Sequence, residues 1–208
     1  MIIGICGLIG SGKDTVASHL INNHNFVKIS FADKLKDAVA SMFDWDRSML
    51  EGQTAESRDW REKPDEFWTK EIGKDITPRL VLQRFGTECM RQGLYDGIWV
   101  SMVKKKILDN PETNWIIPDV RFPNEVKMIK EIYGSVWRVA RGKDPQWFQH
   151  FKDNGVEPTS IHPSEYAWAN TDFDYFVTND STIESLNVSV DDIISDLQQD
   201  HLVSSRAS

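Results

Sequence analysis

GLIGSGKDTVA, running from Gly7 to Ala17, is the stretch on which the reading of this chain turns. It follows the short apolar run IIGIC (Ile2 to Cys6), which ends in glycine as a buried strand does. Val16, Leu20 and Ile21 then recur at helical spacing, predicting a helix over Lys13 to Asn22. Strand, glycine-rich turn and helix in that order are the context a phosphate-binding loop requires. Gly7, Gly10 and Gly12 let backbone N–H groups turn inward, and the helix beginning near Lys13 adds its positive end. Gly7, Gly12 and Lys13 keep the spacing of that loop, with Ser11 and Thr15 beside them; Lys13 is placed to bridge outer phosphates.

One position departs from the pattern: Asp14 stands where Ser or Thr is usual. It admits three readings. Asp14 ligates Mg²⁺ directly or through water, as hard cations accept carboxylate oxygens. Or it favours the helix N-terminus electrostatically while Thr15 handles a phosphate. Or the loop no longer binds a triphosphate. A carboxylate within ~4 Å of a phosphate costs on the order of 4 kcal/mol at intermediate dielectric, which disfavours direct apposition without a metal between them. Asp119, at the end of the apolar run in NWIIPDVRF, is a second acid placed to hold a magnesium-bound water.

A length of 208 residues suits one well-buried domain, expected over 1–200 with a disordered tail at 201–208. A net charge of −8 argues against a broad nucleic-acid face. Cys6 and Cys89 are too few for a disulfide framework or a zinc knuckle. No apolar stretch is long enough to span a bilayer, and the N-terminus reads as a strand rather than a signal peptide, so a cytoplasmic protein is expected.

Further strands are predicted at Phe26 to Ser30, before Asp119, at Ser135 to Ala140 and at Asp174 to Thr178, with helices between them. This alternation predicts an α/β fold with a central parallel five-stranded sheet flanked by helices. Ligands of such sheets sit beyond the carboxyl ends of the strands, where the loop, Asp119, Arg121 and Asn179 all fall. Thr77-Pro78 starts a helix expected to run through Arg91, with Arg79, Gln83 and Thr87 along one face. The span 33–110 is expected to be a helical acceptor-binding region and 142–163 a lid. The tryptophan-rich segment Arg47 to Asp75 resists assignment and is a candidate for base selectivity.

GLIGSGKDTVA, SFADKLK, TPRLVLQRFGTECMR, DGIWV, PDVRFPNE, HPSE and FDYFVTND resemble, in order, the deoxynucleoside monophosphate kinases of tailed bacteriophages. The resemblance spans about Ile2 to Asp192, and GKD-T is the usual loop there. It implies a P-loop kinase fold that uses ATP with Mg²⁺ to phosphorylate a deoxynucleoside 5′-monophosphate. In that scheme Lys13, Arg121 and Arg141 serve catalysis, and Gly7, Gly10, Ser11, Gly12, Lys13, Asp14, Thr15 and Asn179 hold ATP. Asp14 and Asp119 hold the metal, while Asp33, Lys36, Arg79, Gln83, Arg91 and Trp99 bind the acceptor. Plainer roles compete: Arg121 paired with Glu125, Arg138 with a carboxylate, Trp99 in the core. The expected partners are ATP and a dNMP, with no membrane and no nucleic acid, dimerisation being left open; a phage-encoded chain would act in the host cytoplasm. Two other functions compete with this one. The loop could serve a different acceptor, such as a modified base in DNA or another small molecule, or the chain could be a non-catalytic nucleotide-binding regulatory module.

Overall fold

The computed structural model describes residues 1–206, and the chain divides into two compact units. One comprises Met1–Ser30 and the chain from Ile107 onward; the other is Phe31–Lys106.

In the first unit, strands β1 (Ile2–Cys6), β2 (Phe26–Lys28), β3 (Asn114–Ile117), β4 (Ser135–Ala140) and β5 (Tyr175–Thr178) form one parallel sheet in the order β2-β3-β1-β4-β5. Ile3 pairs with both Ile116 and Ser135, so β1 lies in the middle, and its alternate residues are buried on both faces. That explains why IIGIC is continuously apolar rather than alternating. Helices α1 (Lys13–Asn23) and α9 (Ile183–Arg206) bring Val16, Leu20, Leu186, Val190 and Ile194 onto Ile3, Ile5 and Trp137. Each of these side chains, fully buried, stabilises the fold by about 1.5–3 kcal/mol. At Gly4 a Cβ would meet Ile129 Cδ1 of α7 (Pro123–Glu131) at 2.5 Å, so glycine lets that helix approach the sheet. β2 stops at Lys28, short of the expected Ser30. The tail expected at 201–208 lies outside the residues whose side chains are described.

The neighbours of β1 come from opposite directions along the sheet, so its carboxyl end is the topological switch point where α/β sheets place their ligands. GLIGSGKDTVA leaves the sheet there.

The second unit contains α2 (Asp33–Phe43), a 3₁₀ turn at Met49–Glu51, α3 (Ala55–Glu62), α4 (Glu66–Ile72), α5 (Pro78–Arg84), a π-helical stretch Phe85–Gln92 and all but the last two residues of α6 (Ile98–Leu108). Its tryptophans are structural. Trp45 stacks on Phe43 at 4.7 Å, meets Trp60 edge-on at 5.9 Å and donates to Asp65 Oδ2 at 2.8 Å. Trp68 packs edge-on against Phe43 at 5.0 Å and donates to the Phe43 carbonyl at 3.3 Å. The segment that resisted assignment therefore holds the 3₁₀ turn and two short helices, which close a core of Val39, Leu50, Ile76 and Leu82. Among the described residues, no helix is long and apolar enough to cross a membrane.

Candidate active site

The loop after β1 is shaped by three glycines. Gly10 and Gly12 have φ of 78° and 102°, a left-handed region that costs other L-residues roughly 1–2 kcal/mol. A Cβ on Gly7 would run into the Val139 carbonyl and lie 2.6 Å from Ser11 Oγ. Ser11 is buried, and its hydroxyl oxygen has no hydrogen-bond partner. A buried hydroxyl without a partner suits an anion that would accept from it.

Lys13 opens α1 and folds back: Nζ donates to the carbonyls of Gly7 and Leu8, both at 2.8 Å. Burial, and after it the charge of Arg121, holds the ammonium below its ordinary pKa; Asp14 and Glu165 act against that shift. Asn179, just past β5, donates through Nδ2 to the Ser11 carbonyl at 3.0 Å and braces the loop from the far strand. A cavity of about 370 Å³ opens beside it, lined by Gly12, Lys13, Asp14, Thr15, Arg141 and Asn179. A second, also about 370 Å³, borders Ser11, Arg138, Arg141, Lys143, Trp147 and Glu165. Each is of ligand-pocket size. Arg141 belongs to both, exposed at the end of β4.

PDVRFPNE follows β3. Asp119 accepts from Ser30 Oγ through Oδ2 at 2.6 Å, which fixes the carboxylate at the strand end. Glu125 is buried and accepts the backbone N–H groups of Arg121 and Phe122 through Oε2, at 2.7 and 3.0 Å. It thus caps α7, and the plain pairing of its carboxylate with the Arg121 side chain does not occur. The Arg121 guanidinium reaches instead to Glu165 Oε1 at 3.0 Å and Ser164 Oγ at 3.3 Å. Those belong to HPSE, a 3₁₀ turn at Pro163–Glu165 with His162 as its N-cap. Sequence reasoning placed both motifs but not their meeting, because 44 residues separate Arg121 from Glu165.

Arg138 is buried on β4 and pairs with Asp144 at 2.5 and 2.6 Å, its guanidinium 5.1 Å from the Phe148 ring centre. It has the structural role expected of it. Within the 142–163 segment, α8 (Gln146–Asn154) carries that ring.

In the second unit the expected acceptor residues are placed unevenly. Asp33 lies 3.7 Å from Arg47, Lys36 pairs with Glu51 at 2.7 Å, and Arg79 pairs with Glu62. Gln83 is exposed on α5. The single helix expected through Arg91 changes to π-helix at Phe85, so the spacing of four that put Arg79, Gln83 and Thr87 on one face does not persist to Arg91. Trp99 requires a correction. It is buried and its indole N–H donates to the Gly86 carbonyl at 3.1 Å, so it is a core residue with no face left for a base.

Asp14 and Thr15 at the start of α1, and Asp119 with its partner Ser30, offer oxygen donors only. That chemistry fits Mg²⁺, which takes carboxylate oxygen and keeps part of its water.

No family model matches the chain. A protein of Acanthamoeba polyphaga mimivirus, provisionally named deoxynucleotide monophosphate kinase, is 31% identical over 196 residues, covering 88% of this chain and 91% of the relative. The chain belongs to the deoxynucleoside monophosphate kinase family. A more local match joins it to the deoxynucleoside-5′-monophosphate kinase of Escherichia phage T5, 39% identical over 56 residues, or 27% of this chain and 22% of that one. Shikimate kinase from Aquifex aeolicus superposes with a TM-score of 0.44 at 16% identity, over 97% of this chain and 99% of that one, a likeness too loose to bear on substrate.

Proposed function

We propose that the chain transfers the γ-phosphoryl group of ATP to a deoxynucleoside 5′-monophosphate, giving the diphosphate and ADP. The observation that carries this reading is the glycine loop itself, braced by Asn179 and holding an unpartnered buried Ser11 hydroxyl next to Lys13 and Arg141. Membership of a family whose mimivirus relative bears a dNMP-kinase name supplies the acceptor.

Phosphoryl transfer asks for two phosphates held in line and for neutralisation of the charge that develops. The loop amides and Ser11 Oγ donate to the donor's phosphate oxygens. Lys13 exchanges its two carbonyl partners for β- and γ-oxygens, gaining charge-assisted bonds for neutral ones. Asp14 and Asp119 would hold Mg²⁺, which would supply positive charge to offset that of the phosphates. Arg121, oriented by Glu165, is assigned to the transferring group or the acceptor phosphate, and Arg141 to closure over it from the 142–163 lid. Asp33, Lys36, Arg79, Gln83 and Arg91 are assigned to the acceptor; Lys36 and Arg79 would release Glu51 and Glu62 to receive it. Both substrates are small cytoplasmic metabolites, and we place the reaction in the cytoplasm.

A coupled ADP-release assay tests the reading against the common dNMPs, the NMPs and an oligonucleotide bearing modified bases. Stimulation by at least one dNMP is expected. Stimulation by the oligonucleotide alone would move the acceptor to DNA, and no stimulation by any monophosphate would overturn the proposal.

A further inference from the structure

His19, His24 and Asp191 meet at the end of α1 opposite the phosphate loop. His19 Nε2 and His24 Nε2 each lie 2.6 Å from the same atom, Asp191 Oδ1 on α9. The two imidazoles are set edge to face, 5.5 Å apart at 63°. Their side chains are only 10% and 20% exposed, whereas that of Asp191 is 47% exposed, so the cluster is closed on its nitrogen side and open to water on its carboxylate side. His24 is fixed as the C-cap of α1, its backbone N–H bonded to the Leu20 carbonyl at 3.0 Å. Asn23 Nδ2 stands 3.1 Å from His19 Nδ1 and donates to the His19 carbonyl at 3.2 Å.

We propose that His19, His24 and Asp191 form a binding site for a borderline divalent transition metal, zinc by preference, that joins α1 to α9. Two imidazole nitrogens and one carboxylate oxygen, with a position left for water, are a donor set that zinc accepts and magnesium does not favour. Zinc–ligand distances of about 2.0–2.2 Å in a tetrahedron put ligand atoms about 3.3 Å apart. The two N···O spacings of 2.6 Å open to that value by less than about 1 Å, within reach of the half-exposed Asp191 side chain. Each neutral imidazole then presents its Nε2 lone pair and carries its proton on Nδ1. For His19 that proton displaces Asn23 Nδ2, which now stands at Nδ1 and also donates to the His19 carbonyl at 3.2 Å. The alternative is a pair of hydrogen bonds from two imidazole N–H groups to one oxygen, with no metal.

Asp191→Asn separates the two. Its amide oxygen still accepts from both imidazoles but no longer offers an anionic ligand. The full chain, stripped with chelator and carrying Cys89→Ser because that exposed thiol also takes zinc, is titrated with ZnCl₂ in excess Mg²⁺ by calorimetry. Expected are one equivalent of zinc for this parent and a loss of roughly 100-fold or more in affinity for Asp191→Asn and His24→Gln. Cobalt(II) in place of zinc should give the parent the visible bands of a tetrahedral centre, absent from both variants. If either variant fails to fold, the other decides. No stoichiometric zinc in the parent, or any folded variant that binds zinc as tightly as the parent, would overturn the proposal.

Discussion

Arg121 and Glu165 face each other at 3.0 Å, the arginine side chain 43% exposed and the glutamate side chain 20%. The pair ties the segment after β3 to the HPSE turn and points a planar donor group in one direction. Glu165→Gln should lower kcat about tenfold and leave the ATP KM unchanged, because one charge-assisted hydrogen bond of about 1.5 kcal/mol orients the arginine. Arg121→Ala should lower kcat further with ATP binding again spared. Steady-state kinetics with both substrates varied checks this. Unaltered kcat in both variants would remove Arg121 from the reaction.

Lys13→Met should lower kcat by about 10²–10³, the cost typical of losing one preorganised charge-stabilising donor. Its buried stem is replaced, so the melting temperature should hold. Thermal unfolding measured beside turnover separates the two effects.

Asp14→Asn should raise the Mg²⁺ concentration needed for half-maximal rate by more than it raises the ATP KM. Magnesium titrations at saturating ATP read this out. Unchanged magnesium dependence would leave Asp14 with only its electrostatic role at the N-terminus of α1.

Gly7→Ala and Gly10→Ala should differ in kind. The first forces a methyl onto the Val139 carbonyl and Ser11 Oγ and should destabilise by about 1–3 kcal/mol, with loss of ATP binding. The second meets nothing within 4 Å and should cost only its φ of 78°, about 1–2 kcal/mol. Denaturant midpoints together with nucleotide titrations distinguish a distorted loop from one merely strained.

Glu51 gives the second unit an acid-sensitive point. Burial by itself raises its carboxyl pKa, but hydrogen bonds from Lys36 and Arg47 outweigh burial and hold it below the ordinary 4.5. A depressed carboxyl contributes stability above its unfolded pKa and loses it as pH falls through the folded value. Stability should therefore decline below about pH 4.5, and Arg47→Met should flatten that decline. Melting temperatures from about pH 6 to about pH 3 test the sign; identical slopes in both proteins would show that the pair does not matter.

The loop was legible because its requirements are local. A buried strand, glycines at turning positions and Lys13 at a helix start are all written within sixteen residues, Ile2 to Ala17. The Thr77 cap was legible for the same reason, and its side chain does accept from the Leu80 N–H at 3.1 Å. Trp99 was misplaced because a tryptophan beside two aliphatics looks alike whether its face is buried or bare. The change to π-helix at Phe85 was missed because no local pattern records it; nearby, a Cβ at Gly86 would lie 2.9 Å from Leu35 Cδ2 of α2. The tryptophans of the Arg47 to Asp75 segment, Trp60 and Trp68, were unreadable until their partners, Trp45 and Phe43, were in place.

The sequence by itself determined the order of strands and helices, the parallel sheet and the position of the phosphate loop, since hydrophobic period and turn chemistry act over a few residues. Only the tertiary structure decided that β1 lies between β3 and β4, that Asn179 braces Ser11, that Arg121 answers to Glu165 rather than Glu125, and that two histidines share Asp191. Those are contacts between distant segments, selected by which packing buries the most apolar surface while leaving buried polar groups paired, and a single line of residues does not display that choice.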